Sequence, residues 1–245
     1  MLRLPPRIAA LGLACLAALI CAICFLYLDA AAARYATGSL QNYKRVASLV
    51  TDLGLSGYMI VGSVTVVAAG YLVKRRQPHP RIARGVTTVM ERAFFVGTVV
   101  VVSGILAQII KHLVGRARPK LIDTLGATHF DAFSLKASLA SFPSGHTTSA
   151  FALAAALAMM APRLRWPLLV FALAVGTSRF VVGAHYVSDL VGGAALGLIV
   201  VVLCAGEFAS RSLVFRATGR GLILKDAGTV LPMLRLAVRR LRGRP

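Results

Sequence analysis

An all-α fold, a polytopic membrane helical bundle with six transmembrane helices, is what this sequence predicts, and two observations carry that prediction. Of its 245 residues 58% are hydrophobic and only 15% charged, far from the balance of a soluble domain. The apolar residues also gather into runs near the 20 or so residues needed to cross the hydrocarbon core of a bilayer. Six are expected, near 8–28, 47–73, 88–112, 146–161, 167–184 and 189–206, the fourth and fifth being the shortest. In lipid each run must be helical, because every backbone N–H and C=O needs a partner inside its own segment.

The first run follows Arg3 and Arg7 and ends at the small residues Ala30 to Ala33, as a secretory leader with a cleavage site would. At about 21 residues it exceeds the usual 7–15 of a leader core, so a retained first span is expected. Cys15, Cys21, Cys24 and Cys204 all fall inside runs and read as small apolar residues, with neither a disulfide framework nor a zinc cluster in their spacing. Asp52 and the neighbours Glu91 and Arg92 read as structural ion partners. Loops are short except for Pro119 to Pro143, which holds Asp123, Gly126, His129, Asp131 and Lys136. A connection of that length suits a lid, with a short helix expected around Phe130 to Ala137 and with His129 and Asp131 as surface groups. Gly193 and Gly197 form a G-x-x-x-G that favours close internal helix packing.

The chain divides into a membrane unit, 1–210, and a basic tail, 211–245. On a helical wheel the tail gathers Leu231, Met233, Leu234, Ala237, Val238 and Leu241 on one side and Arg235, Arg239, Arg240 and Arg242 on the other. This pattern predicts an interfacial helix drawn to an anionic cytoplasmic leaflet.

A formal charge of +20 does not here imply nucleic acid. With the N-terminus cytoplasmic and six spans, 19 of the 28 Lys and Arg residues fall in cytoplasmic segments, as the positive-inside rule requires. That orientation puts Lys111, Arg118 and Arg179 on the opposite, periplasm-facing side of an inner membrane.

Those cations belong to three segments, Lys111 to Pro119 (KHLVGRARP), Pro143 to His146 (PSGH) and Ser178 to Asp189 (SRFVVGAHYVSD). Ionisable groups beside membrane spans are costly and mark function. Lys111, Arg118 and Arg179 offer positive charge, the arginines in bidentate form. Ser144 and Gly145 stand where the fourth helix should begin, so backbone N–H groups, the Ser144 hydroxyl and the helix dipole would favour an anion. His185 and Asp189, four apart, share a face if the turn between them is helical. A zinc site of His185, Asp189 and His146 is the rival reading; three cations against one carboxylate favour an anion pocket, with no metal and no cofactor. Ser178 reads as a brace for Arg179, and Arg116 and His112 fall outside the pattern.

Lys, six residues, then Arg-Pro; Pro-Ser-Gly-His; and Ser-Arg, five residues, His, three residues, Asp: over residues 85–205 this resembles the type 2 phosphatidic acid phosphatase superfamily. The resemblance implies that His185 attacks phosphorus to give a phosphohistidine, that Asp189 orients it, and that His146 protonates the leaving alcohol. It implies a membrane lipid phosphatase rather than the superfamily's soluble vanadium haloperoxidases. Phosphatidic acid, phosphatidylglycerol phosphate, undecaprenyl diphosphate and lipid A 1-phosphate are the candidate substrates, and the stretch from Phe130 to Phe142 resembles the lipid A 1-phosphatase branch. A lipid-to-lipid phosphotransferase and a catalytically silent lipid-phosphate-binding protein are the alternatives. Oligomeric state is not encoded in any motif.

Overall fold

A computed structural model describes residues 4–76, 79–218, 221–226 and 228–241. The chain enters as α1 (Pro6–Ile23), passes through one wide π turn at Cys24–Leu28 and continues as α2 (Asp29–Ser39). A π turn adds a residue and re-phases the helix. Here it separates Tyr27, 76% exposed, from Asp29, which is turned inward and 1% exposed. A short helix α3 (Lys44–Asp52) precedes α4 (Ser56–Arg76), so a break at 53–55 divides the expected second run. Thr51 on α3 and Ser178 share a hydroxyl hydrogen bond of 2.7 Å, which gives Ser178 a structural partner.

Helix α5 (Pro80–Val114) has 35 residues, about 52 Å at 1.5 Å per residue, and outreaches the bilayer core at both ends. After it the chain makes 3-10 turns at Pro119–Leu121 and Ala137–Leu139 with a single helical turn, α6 (Ile122–Leu125), between them. Then come α7 (Gly145–Met160), α8 (Arg165–Val181) and α9 (Val187–Ser210). Among the described residues, five helical segments are long and apolar enough to span: 6–39, 41–76, 80–114, 162–181 and 187–210. The sixth expected span, α7, has 16 residues, short of the usual 20. It begins at Gly145, within the site described below, and packs against α5, α8 and α9. Its Ala150, Ala152, Ala154 and Ala156 are buried, and such small side chains let helix backbones approach closely.

Gly193 and Gly197 supply the matching face on α9. A Cβ on Gly193 would lie 2.6 Å from Ser144 O, and one on Gly197 2.5 Å from Thr148 O. The core continues through Phe95, Val99 and Val100 of α5, Val200, Val201 and Ala205 of α9, and Phe215 and Leu222. Those last two belong to an antiparallel hairpin of β1 (Phe215–Thr218) and β2 (Gly221–Leu224), paired Phe215 to Leu224, a small departure from an all-α chain. The tail then forms α10 (Val230–Leu241), whose Met233 covers Gly85 of α5. Arg92 donates to Asp226 O at 3.3 Å, and Lys225 reaches Glu91 at 3.7 Å. Glu91 and Arg92 therefore bind the tail rather than each other, while Asp52 is exposed. The side chains of Leu231, Leu234, Ala237, Arg239, Arg240 and Leu241, together with Arg3, Arg220, Arg242 and Arg244, lie outside the described residues.

Because a side chain at 197 must displace the α7 backbone, Gly197→Leu is expected to cost about 1–3 kcal/mol. A lowered thermal midpoint in detergent, set beside a neutral change at lipid-facing Gly62, checks this.

Candidate active site

Helix α5 is stopped by Gly115, whose φ of +63° is a left-handed cap. Its N–H bonds Lys111 O at 2.9 Å, and a Cβ there would stand 1.6 Å from Asp131 O. Glycine is thus required by both conformation and space. The reversal lays residues 115–118 against the returning loop through Asp131 N–H to Gly115 O at 2.9 Å, Ala117 N–H to His129 O at 3.1 Å and Arg118 N–H to Ser138 O at 3.0 Å. His112 Nδ1 meets Ser134 O at 2.8 Å and tethers the loop to α5. The helix expected over Phe130 to Ala137 does not form. Phe130 is bridged to Arg116, and Phe133 has φ +64°, which no α-helix accommodates. Asp131 and Lys136 are exposed.

Helix α9 starts with Tyr186 as N-cap, whose N–H donates to Asp189 Oδ2 at 2.8 Å in the manner of a capping box. His185 precedes the cap, so it does not share a helical face with Asp189 as the spacing suggested; the fold of the preceding turn brings the two together. His185 Nδ1 lies 3.5 Å from Asp189 Oδ2, somewhat longer than a hydrogen bond. Asp189 is fully buried and held on all sides: Ser141 Oγ donates to Oδ2 at 2.6 Å and Arg116 Nη1 to Oδ1 at 2.7 Å.

Lys111 lies in the last turn of α5, 9% exposed, and its Nζ would be 3.5 Å from a Cβ on Gly145. The missing side chain lets that ammonium approach the first turn of α7. Arg118 is steadied by loop carbonyls, Nε to Ala137 O at 2.9 Å and Nη2 to Ala140 O at 3.3 Å. Arg179 ends α8 with its Nε buried and, among the described residues, without a hydrogen-bond partner. His146 is the second residue of α7. Ser144 corrects one expectation. Its N–H already donates to Asp189 O at 3.0 Å, and its hydroxyl accepts from Thr147 Oγ1 at 2.9 Å. The first bond of α7 is Thr148 N–H to Ser144 O at 2.9 Å, so the N–H groups of Gly145, His146 and Thr147 come before the helix's own acceptors and form its positive end.

Lys111, Gly145 and His146 line one end of a cavity of about 570 Å³, whose other wall is apolar and includes Ile60, Val101 and Ile105. Ile60 and Val101 also line a second, almost wholly apolar groove of about 720 Å³ between α4 and α5. The polar end can hold an anion and the apolar end a hydrocarbon chain.

Burial pushes His185 down to about 4; Asp189 opposes the shift, and Arg118 and Arg179 add to it. His185 is therefore neutral at pH 7. Burial also lowers Arg118, partly offset by Asp189. The spacing patterns pass over Asp29, Arg116, Ser141 and Ser188, all buried and all within the hydrogen-bond network of Asp189. Arg116 carried one signal, a third basic residue between Lys111 and Arg118; Asp29 carried another, a carboxylate inside an apolar run.

The sequence profile of the PAP2 superfamily matches residues 92–210. The chain is 35% identical over 181 residues to the lipid A 1-phosphatase of Rhizobium johnstonii, covering 73% of each protein. It matches that of Rhizobium etli at the same identity over 73% of this chain and 77% of the relative. A shorter stretch of 61 residues, 25% of this chain and 32% of the relative, is 43% identical to the undecaprenyl-diphosphatase BcrC of Bacillus subtilis. Among solved structures, the transmembrane PAP2 type phosphatidylglycerolphosphate phosphatase of Bacillus subtilis superposes with a TM-score of 0.55 at 25% identity, over 83% of this chain and 95% of that one.

The depressed His185 gives stability a defined pH dependence. An unfolded histidine takes up a proton near 6.5 and the folded one only near 4, so this contribution is complete above 6.5 and is lost as pH falls through that window. A thermal midpoint that declines from pH 6.5 toward 4, with a shallower decline in His185→Gln, is the expected result.

Proposed function

The chain belongs to the PAP2 superfamily, and on that premise we propose that this multi-pass membrane protein hydrolyses a phosphate ester or diphosphate of a membrane lipid, with lipid A 1-phosphate the foremost substrate. The observation that carries this reading is the cavity in which Lys111, Gly145 and His146 adjoin an apolar path between α4 and α5. A phosphate at the polar end leaves its hydrocarbon in the groove, so the lipid enters sideways from the bilayer. The names of the relatives favour lipid A 1-phosphate over undecaprenyl diphosphate by matched length, 181 residues against 61, and over phosphatidylglycerol phosphate by identity, 35% against 25%.

Lys111, Arg118 and Arg179 neutralise the non-bridging oxygens, assisted by the N–H groups that begin α7 at Gly145, with Ser144 holding that turn in place. His185, neutral and oriented by Asp189 on its Nδ1 side, attacks phosphorus through Nε2. The P–N bond forms as the P–O bond to the lipid breaks, and His146 gives its proton to the departing oxygen. Water then attacks the phosphohistidine, His146 takes the proton, and the P–N bond breaks to release inorganic phosphate and restore His185. The cations provide the charge stabilisation a metal would otherwise supply, so no metal is invoked. The Lys and Arg distribution supports a site on the periplasmic face of the inner membrane, and the basic tail suits an anionic cytoplasmic leaflet.

Assay of purified protein with a panel of lipid phosphates in detergent plus chelator tests the reading. We expect release of inorganic phosphate, greatest from lipid A 1-phosphate, undiminished by chelation and bell-shaped in pH, with His185→Ala reduced by at least about a thousandfold. Turnover retained in His185→Ala excludes it as nucleophile, and activity restored only by added metal excludes the metal-free scheme.

A further inference from the structure

Arg116 has no place in the scheme above, yet it is a fully enclosed charge. Its side chain is 2% exposed and forms ion pairs with two carboxylates, Asp29 at 2.8 Å and Asp189 at 2.7 Å, each wholly buried. Nη1 also donates to Ser188 Oγ at 2.6 Å. The guanidinium carbon lies 4.1 Å from the centre of the Tyr186 ring, stacked beside the turn that carries His185. Asp29 is fixed in turn, its Oδ1 accepting from Ser188 N–H at 3.0 Å and its Oδ2 accepting from the Ser188 hydroxyl. Three distant segments, the α1–α2 rod, the turn after α5 and the start of α9, thus meet on one cation.

We infer that Asp29 and Arg116 are a positioning pair for the hydrolysis: together they set how much negative charge Asp189 presents to His185. The inference rests on the reading that His185 is the nucleophile. Arg116 alone beside Asp189 would neutralise it; Asp29 takes the other half of the guanidinium, so the cluster of two carboxylates and one cation keeps one net negative charge. That charge faces His185 across Asp189 Oδ2, the oxygen not bound by Arg116. It is needed there because the other charged groups around His185 are positive: Lys111 from α5, Arg118 from the loop and Arg179 from α8, with His146 the titratable neighbour on α7. A carboxylate of undiminished charge keeps the imidazole proton on Nδ1 and stabilises the positive charge that develops as Nε2 attacks. Distance makes Asp29 a positioning residue, since it acts through Arg116 and Asp189.

Charge arithmetic separates this role from a merely structural one. Asp29→Asn brings the cluster from −1 to 0, Arg116→Gln brings it to −2, and the double substitution restores −1, carried by Asp189 alone. The experiment is kcat and KM for phosphate release against pH in the full-length protein, using the preferred lipid phosphate of the panel, with folding followed by thermal midpoint. The expected result for Asp29→Asn is a kcat lowered about tenfold with little change in KM and an acid limb moved to lower pH by on the order of one unit. Arg116→Gln moves that limb upward, Asp29→Glu keeps it near the wild-type position, and the double variant returns it there. An acid limb that stays put in Asp29→Asn, or one no nearer wild type in the double variant, overturns the inference. Should Asp29→Asn fail to fold, the double variant decides alone by whether its limb coincides with wild type. His185→Ala keeps the two readings apart: an active His185→Ala refutes the nucleophile, whereas an inactive one beside an unmoved limb refutes only the positioning pair.

Discussion

Burying one guanidinium between two carboxylates is the constraint around which this site is built. Each ion taken from water costs several kcal/mol even after relaxation, and the cost is offset only where every donor and acceptor is matched. Arg116, Asp29 and Asp189 approach that condition through Ser188, Ser141 and the Tyr186 N–H, which satisfy the remaining carboxylate oxygens. Such a cluster adds little to net stability, but one arrangement of its segments satisfies it and neighbouring arrangements strand a charge. Its value lies in fixing the start of α9, the turn bearing His185 and the strand of loop bearing Arg118 in a single register.

Packing enforces the same register from beneath. Gly193 and Gly197 admit the backbone of α7 against α9, and the Ser144 N–H closes on Asp189 O. The N-terminal end of α7 is therefore tied to the same aspartate that the charge cluster holds. The Ser144 amide serves this tie rather than a ligand, and Gly145 and His146, which follow it, line the cavity.

Much of this was legible in the sequence because bilayers impose strong patterns. Apolar length gave the helices, and the three motif segments gave the groups that gather at one end of the bundle. The limits of legibility are physical as well. The expected run of 146–161 already showed α7 to be short, but hydropathy could not show that it is enclosed by other helices, because an enclosed helix of alanines and a lipid-facing one are equally apolar. Spacing placed His185 and Asp189 on one helical face, whereas a capping turn, set by the backbone of Tyr186, brings them together. A short helix was expected over Phe130 to Ala137, but Phe133 adopts positive φ and Phe130 is bridged to Arg116. Asp29 escaped notice and Arg116 was set outside the pattern because their partnership spans 87 positions, and no local pattern encodes a contact at that separation.

That separation bears on how the protein is made. Asp29 enters the membrane with the first apolar segment, well before Arg116 is synthesised and longer still before Asp189. Until the later segments arrive, this carboxylate sits at the bilayer edge where lipid headgroups and water can solvate it, and only the last helix to insert draws it under cover. The earliest and latest spans thus lock together at one point, and a chain halted before its final helix holds Asp29 and Arg116 without Ser188 and Asp189, which complete their hydrogen bonds.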